Sequence, residues 1–138
     1  MKINKGHLII AIFAFLLLSF TYDEKPNCAK LKNGKYYYYT KKTREKTLVE
    51  RTDSLQIETN EFGKDVMKNK IVWKGNCKYD MYLNALSDST LDETDSIIAA
   101  TPSHVEIIYI GETFYICTAK MNIFNKNLNF TDTIYFRK

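Results

Sequence analysis

The sequence predicts a mainly all-β fold: a small antiparallel meander of seven or eight short strands, closed into a barrel or rolled into a sandwich, with one short helix and a signal peptide in front. Three observations carry this. Short runs rich in Tyr, Ile, Val and Thr recur along the chain, some alternating in polarity with period two. Turn signals such as Asn33-Gly34, Gly75-Asn76 and Gly111-Glu112 separate them at hairpin distance. An uncharged apolar run over residues 8–20, preceded by Lys2 and Lys5, has the pattern read by export machinery.

That run is shorter than the ~20 residues a helix needs to cross a ~30 Å hydrocarbon core. Residues 1–21 are therefore expected to be a cleaved signal peptide, with an uncleaved anchor as the alternative. Cys28 follows Glu24, Lys25, Pro26 and Asn27 rather than small residues, so lipidation there is not expected. Residues 22–33 read as a polar tether, and residues 34–138 have the length of one ordinary domain with one core.

Within the domain the elements follow in order. Residues 35–40 hold four consecutive tyrosines, and residues 47–51 and 54–60 follow across a tight break. In the last of these Leu55, Ile57 and Thr59 alternate with Gln56 and Glu58, the pattern of a half-buried strand. Gly63 marks a turn, after which residues 69–74 place Ile71 and Trp73 on one face. Gly75-Asn76 turns the chain into residues 78–86, where Tyr79, Met81, Leu83 and Ala85 share a face, so these two segments predict a hairpin. Thr90 with Glu93 fits a capping box, predicting a helix over residues 91–100 that stops before Pro102. Residues 104–110 and 113–121 form the clearest hairpin, residues 122–129 read as a polar connection, and residues 131–136 as the last strand.

Composition excludes several functions. The formal charge of +4 falls once Lys2 and Lys5 are removed and forms no dense basic block, so no nucleic-acid partner is expected. Arg is limited to Arg44, Arg51 and Arg137, which leaves few bidentate grips for phosphate. The single His of the mature chain, His104, gives neither a Ser-His-Asp arrangement nor a zinc site. Asp88, Asp92, Glu93 and Asp95 lack the spacing and the glycine of a calcium loop. No residue set predicts a catalytic centre, a metal or a cofactor. Asn129-Phe130-Thr131 is a sequon with meaning only in a eukaryotic secretory pathway.

An exported chain meets an oxidising compartment, where three cysteines allow one disulfide and one spare thiol. Cys28 lies in the tether and Cys77 beside a turn, whereas Cys117 sits inside a strand. The pair Cys28 and Cys77 is favoured on position, with Cys117 a core thiol and three reduced cysteines as the alternative. The run Tyr36, Tyr37, Tyr38, Tyr39 divides its rings between two faces of a strand. With Trp73 it makes the candidate binding surface, although tyrosines also suit an ordinary half-buried strand.

Residues 31–38 (LKNGKYYY), 50–59 (ERTDSLQIET) and 71–79 (IVWKGNCKY) resemble a group of small exported proteins of Gram-negative bacteria that have no assigned activity and are sometimes mislabelled DNA topoisomerase IV. The resemblance covers residues 28–86 and includes Cys28 and Cys77. It implies export and says nothing of chemistry; a single exported domain lacks the parts of a topoisomerase.

The expected function is a non-enzymatic binding module of the cell envelope, in the manner of a lipocalin, holding a small apolar or aromatic ligand. The alternative is a structural or protein-interaction module that presents a sheet edge or aromatic face to another envelope protein. The membrane would be touched only through an uncleaved N-terminal segment. An internal cavity of ~300 Å³ or more favours the ligand, and a filled core with an exposed patch favours the partner.

Overall fold

The computed structural model describes residues 26–86 and 93–138. The expected signal peptide, and the part of the expected helix before Glu93, lie outside the described residues. Eight strands follow a short 3-10 turn at Ala29–Leu31: β1 Gly34–Tyr39, β2 Lys46–Arg51, β3 Leu55–Asn60, β4 Asp65–Trp73, β5 Lys78–Leu86, β6 Ser103–Ile110, β7 Phe114–Ile123 and β8 Lys126–Phe136. Among the described residues one helix, α1 Glu93–Ala100, stands between β5 and β6 and packs against β5.

Each strand pairs antiparallel with the next, and β8 returns to β1, so the meander is a closed barrel rather than a sandwich. Closure removes the sheet edges that would otherwise expose unpaired backbone. The seam is thin: β1 and β8 are in register only at Tyr36 with Phe136 and Tyr37 with Tyr135. By contrast β7 and β8 pair continuously from Phe114 with Tyr135 to Ile123 with Lys126.

The core lies inside the barrel, where Tyr36, Val49, Ile71, Tyr79, Val105, Ile107, Tyr115, Cys117 and Ile134 point inward from seven of the strands. Outward positions carry charges, paired as Lys35 with Glu50 at 3.0 Å and Lys78 with Glu106 at 3.1 Å. Asp80 joins them, lying 3.6 Å from Lys74 and 2.6 Å from His104.

Three differences from the sequence-based expectation have physical causes. Residues 122–129 are not a connection: β7 and β8 run through them, joined by a two-residue turn in which Phe124 and Asn125 hold φ of 51° and 58°. Two successive positive φ values match the twist of a hairpin, but Phe is not the residue that advertises such a turn. Beyond Lys120 β7 pairs only with β8 among the described residues, and this ribbon leaves Phe124, Leu128 and Phe130 exposed. Second, β4 begins at Asp65, earlier than its apolar pattern shows. Third, β3 is half-buried with its polar face inward: Gln56 and Glu58 are each only 6% exposed, while Leu55 and Ile57 face outward, half-buried.

The alternation of strand direction gives the barrel two distinct ends. At one, the starts of β1, β3, β5 and β7 meet the ends of β2, β4, β6 and β8, and the 3-10 turn closes it. Leu31 is buried there, and the Cys28–Cys77 disulfide, with Cα atoms 5.1 Å apart, ties the turn to the β4–β5 connection. At this plugged end Tyr36 Oη donates to the carbonyls of Leu31 and Asn33, both at 3.2 Å. The Tyr36 ring passes so close to Gly34 that a Cβ there would stand 2.5 Å from its oxygen, so glycine is the residue that fits.

Candidate functional site

The interior of the barrel holds a cavity of about 240 Å³ with walls from all eight strands. An eight-stranded barrel is just wide enough to be filled by side chains or to keep room for one small ligand. Here aliphatic side chains, Val49, Val105 and Ile134, form much of the wall, with Met67, Met81 and Ala119 nearer the other end.

The floor, toward the plugged end, is organised by Arg51, which is 5% exposed. Its Nε donates to Gln56 Oε1 at 2.9 Å and its Nη1 to the Leu31 carbonyl at 3.2 Å. Its Nη2 donates to two phenol oxygens, Tyr79 Oη at 3.1 Å and Tyr115 Oη at 2.9 Å. The guanidinium also lies against the rings of Tyr36, Tyr79 and Tyr115, within 6 Å of each ring centre, so stacking adds to hydrogen bonding.

A carboxylate balances this buried charge through a bridging amide. Gln56 Nε2 donates to Glu58 Oε1 at 2.8 Å, Asn69 Nδ2 donates to the same oxygen at 3.2 Å, and Tyr38 Oη donates to Oε2 at 2.7 Å. Burial of an ion pair is tolerated when the remaining polar atoms are satisfied in this way. Burial dominates the ionisation of the surrounding groups. It pushes Tyr79 up to about 12 against the opposing pull of Arg51, and Cys117 up to about 11 with help from Asp132. Tyr38 and Tyr115 are also raised, chiefly by burial, with Glu58 adding to the effect on Tyr38 and Arg51 opposing it on Tyr115. At neutral pH the phenols and the thiol therefore carry their protons.

Asp132 borders both this cavity and a second concavity of about 470 Å³ on the outer side of the β1–β8 seam. Lys41 spans that seam, donating to the Thr131 carbonyl and lying 3.3 Å from Asp132. The outer concavity is larger, but its walls include the exposed side chains of Tyr39, Lys41 and Arg44, which desolvate a ligand poorly. The interior cavity is instead walled by buried side chains, Val49, Arg51, Gln56, Glu58 and Tyr79 among them.

The candidate residues read from the sequence fall in three places. Tyr36 and Tyr38 face inward, Tyr36 packed in the plug and Tyr38 on the cavity wall. Tyr37 and Tyr39 face outward in an aromatic band: Tyr37 stacks on Tyr135 at 5.2 Å, Tyr39 meets both edge-on, and Phe114 and Tyr109 extend the band. Trp73 belongs to neither, being half-buried at the plugged end between Tyr79, 4.7 Å away, and the Lys32 ammonium, 5.1 Å away. Its Nε1 is buried without a hydrogen-bond partner, and nothing in the structure explains that. Cys28 and Cys77 are bonded, and Cys117 is the buried free thiol.

Sequence reasoning missed Arg51, Gln56, Glu58, Asn69 and Tyr115. The available signal was parity: Arg51 shares a face with Val49, and Gln56 pairs directly across from Arg51. Comparisons with protein-family models, with curated proteins and with solved structures find no match.

Proposed function

We propose that this chain is a non-enzymatic binding module of the cell envelope, holding a small apolar or aromatic ligand inside its barrel. The observation that carries the reading is the 240 Å³ interior cavity, where Val49, Val105, Ile134 and two methionines share the wall with Arg51, Gln56, Glu58, Asp132 and three tyrosines. That volume does not reach the ~300 Å³ set above as favouring a ligand, so the reading holds only for an occupant of about one ring or a short chain. The disulfide fits an oxidising, extracytoplasmic compartment. The paired charges on the outer face fit a barrel standing in water, since a lipid-facing band is apolar.

A second reading rests on the outer aromatic band. Tyr39 and Tyr109 are each about half exposed, and a protein partner in the envelope would cover them. Native mass spectrometry of the chain purified from its producing cell tests the two together. A retained small-molecule adduct, released on activation, supports the cavity. A bare chain bound to a second protein supports the band. A bare chain with neither contradicts the binding-module reading.

A further inference from the structure

The floor of the cavity has more to say about its occupant, provided that the interior is a ligand site at all. A phenol can both accept and donate. Tyr79 and Tyr115 accept from the same Arg51 nitrogen, and neither donates its own proton to any group among the described residues. The contrast with their neighbours is sharp. Tyr36 spends its proton on the plug carbonyls and Tyr38 spends its proton on Glu58. Two donors are thus held beneath the cavity floor without an acceptor; Tyr115 is fully buried and Tyr79 only 3% exposed, so an acceptor reaches them only by displacing the side chains packed over them. Each is fixed by the guanidinium behind it, and a hydroxyl that accepts from a charged donor becomes a better donor itself.

The charge of the interior narrows the choice further. Arg51 is already balanced by Glu58 through the Gln56 bridge, and Asp132 on the wall is balanced by Lys41. A negatively charged ligand would bring an uncompensated charge past two carboxylates, Glu58 and Asp132, on the cavity wall. A hydrocarbon would leave both phenol protons without a partner once it displaced water from the floor. From these unspent donors and this balanced charge we infer that the cavity takes small uncharged molecules with a hydrogen-bond-accepting oxygen, of the ketone, aldehyde or ester kind, on an apolar body. The oxygen sits between Tyr79 Oη and Tyr115 Oη and the apolar body lies against Val49, Val105 and Ile134.

Three probes of nearly equal size separate the possibilities: acetophenone, ethylbenzene and benzoate. Each is titrated into the wild-type chain while the methyl resonances of Val49, Val105 and Ile134 are followed by NMR. Acetophenone should bind at least tenfold more tightly than ethylbenzene and at least tenfold more tightly than benzoate. In Tyr79→Phe and Tyr115→Phe the advantage over ethylbenzene should shrink several-fold while ethylbenzene binding persists. The wild-type series stands alone if either variant folds poorly. Equal binding of acetophenone and ethylbenzene, or a preference for benzoate, overturns the inference and leaves the cavity reading intact. If none of the three shifts the cavity methyls, the cavity holds only water and both fall.

Discussion

The two ends of the barrel are built differently. At the plugged end the disulfide, the 3-10 turn and Arg51 tie elements distant in sequence to one another: Arg51 alone contacts the Leu31 carbonyl, Gln56, Tyr79 and Tyr115. Toward the other end the sheet seam is bridged by the exposed Lys41, the walls are Met67, Met81 and Ala119, and space remains. The difference teaches that this small domain concentrates its fixed polar order at one end and so can leave room in the other half. Stability should then depend chiefly on the plugged end, and substitutions should show it.

The largest effect is expected at Arg51. Arg51→Met removes the donor to four acceptors and leaves Glu58 as an uncompensated buried charge, which should cost about 3–5 kcal/mol in urea unfolding. A loss under about 1 kcal/mol would mean that the plug does not depend on the guanidinium. Next comes the disulfide, which closes a sequence separation of 49 residues. Cys28→Ser with Cys77→Ser should lose about 2–4 kcal/mol. It should also raise hydrogen exchange at Leu31, because the turn is then held only by hydrogen bonds.

Trp73 and Phe62 sharpen the comparison, one from each end. Trp73 is half-buried against Tyr79, so Trp73→Ala should cost about 2–3 kcal/mol, less than for a fully buried indole. Phe62 is 82% exposed in the β3–β4 turn, and Phe62→Ala should stay within about 0.5 kcal/mol. Similar unfolding midpoints for the two would erase the distinction. Circular dichroism is the readout, since the first variant loses the indole.

A last effect is one of pH. Cys117 and Tyr79 hold their protons in the fold up to about 11 and about 12, above their values in an unfolded chain. Their contribution is complete below about pH 8.5 and is lost as pH rises through the folded values, because the unfolded state releases protons first. Stability should therefore fall on the alkaline side, by up to about 1.4 kcal/mol per pH unit for each group while it is between its two pKa values. Cys117→Ala should remove the earlier part of that slope. A midpoint independent of pH between 8 and 11 in the wild-type chain would contradict the burial of both groups.

How much of this was legible beforehand depended on whether a residue's role was local. The strand order, the hairpins and the Cys28–Cys77 pair were legible, because turn chemistry and period-two patterns are properties of neighbouring residues. The split of the tyrosine run was legible for the same reason: Tyr36 and Tyr38 had to oppose Tyr37 and Tyr39. The site was not. In β3 the apolar residues Leu55 and Ile57 occupy the outer face and Gln56 and Glu58 the inner one, so hydrophobicity alone chooses the wrong side. Only the register with β2, which sets Gln56 opposite Arg51, reverses it. The turn at Phe124-Asn125 was hidden because a bulky residue stands where positive φ is needed.

The central claim, that the half of the barrel away from the plug contains room meant for a ligand, is tested most directly by filling it. Ala119 lines the cavity on β7, and Ala119→Phe places a ring in that space. Native mass spectra of this variant and the wild-type chain, each purified from the producing cell, make the comparison, with the urea midpoint as the check on folding. The account predicts a small-molecule adduct on the wild type, none on the variant, and a midpoint change worth less than about 1 kcal/mol, since an empty space receives the ring. An adduct that survives in the variant would place the ligand elsewhere. A loss of about 1–3 kcal/mol, the usual cost of overpacking a filled core, would contradict the claim that the space is there.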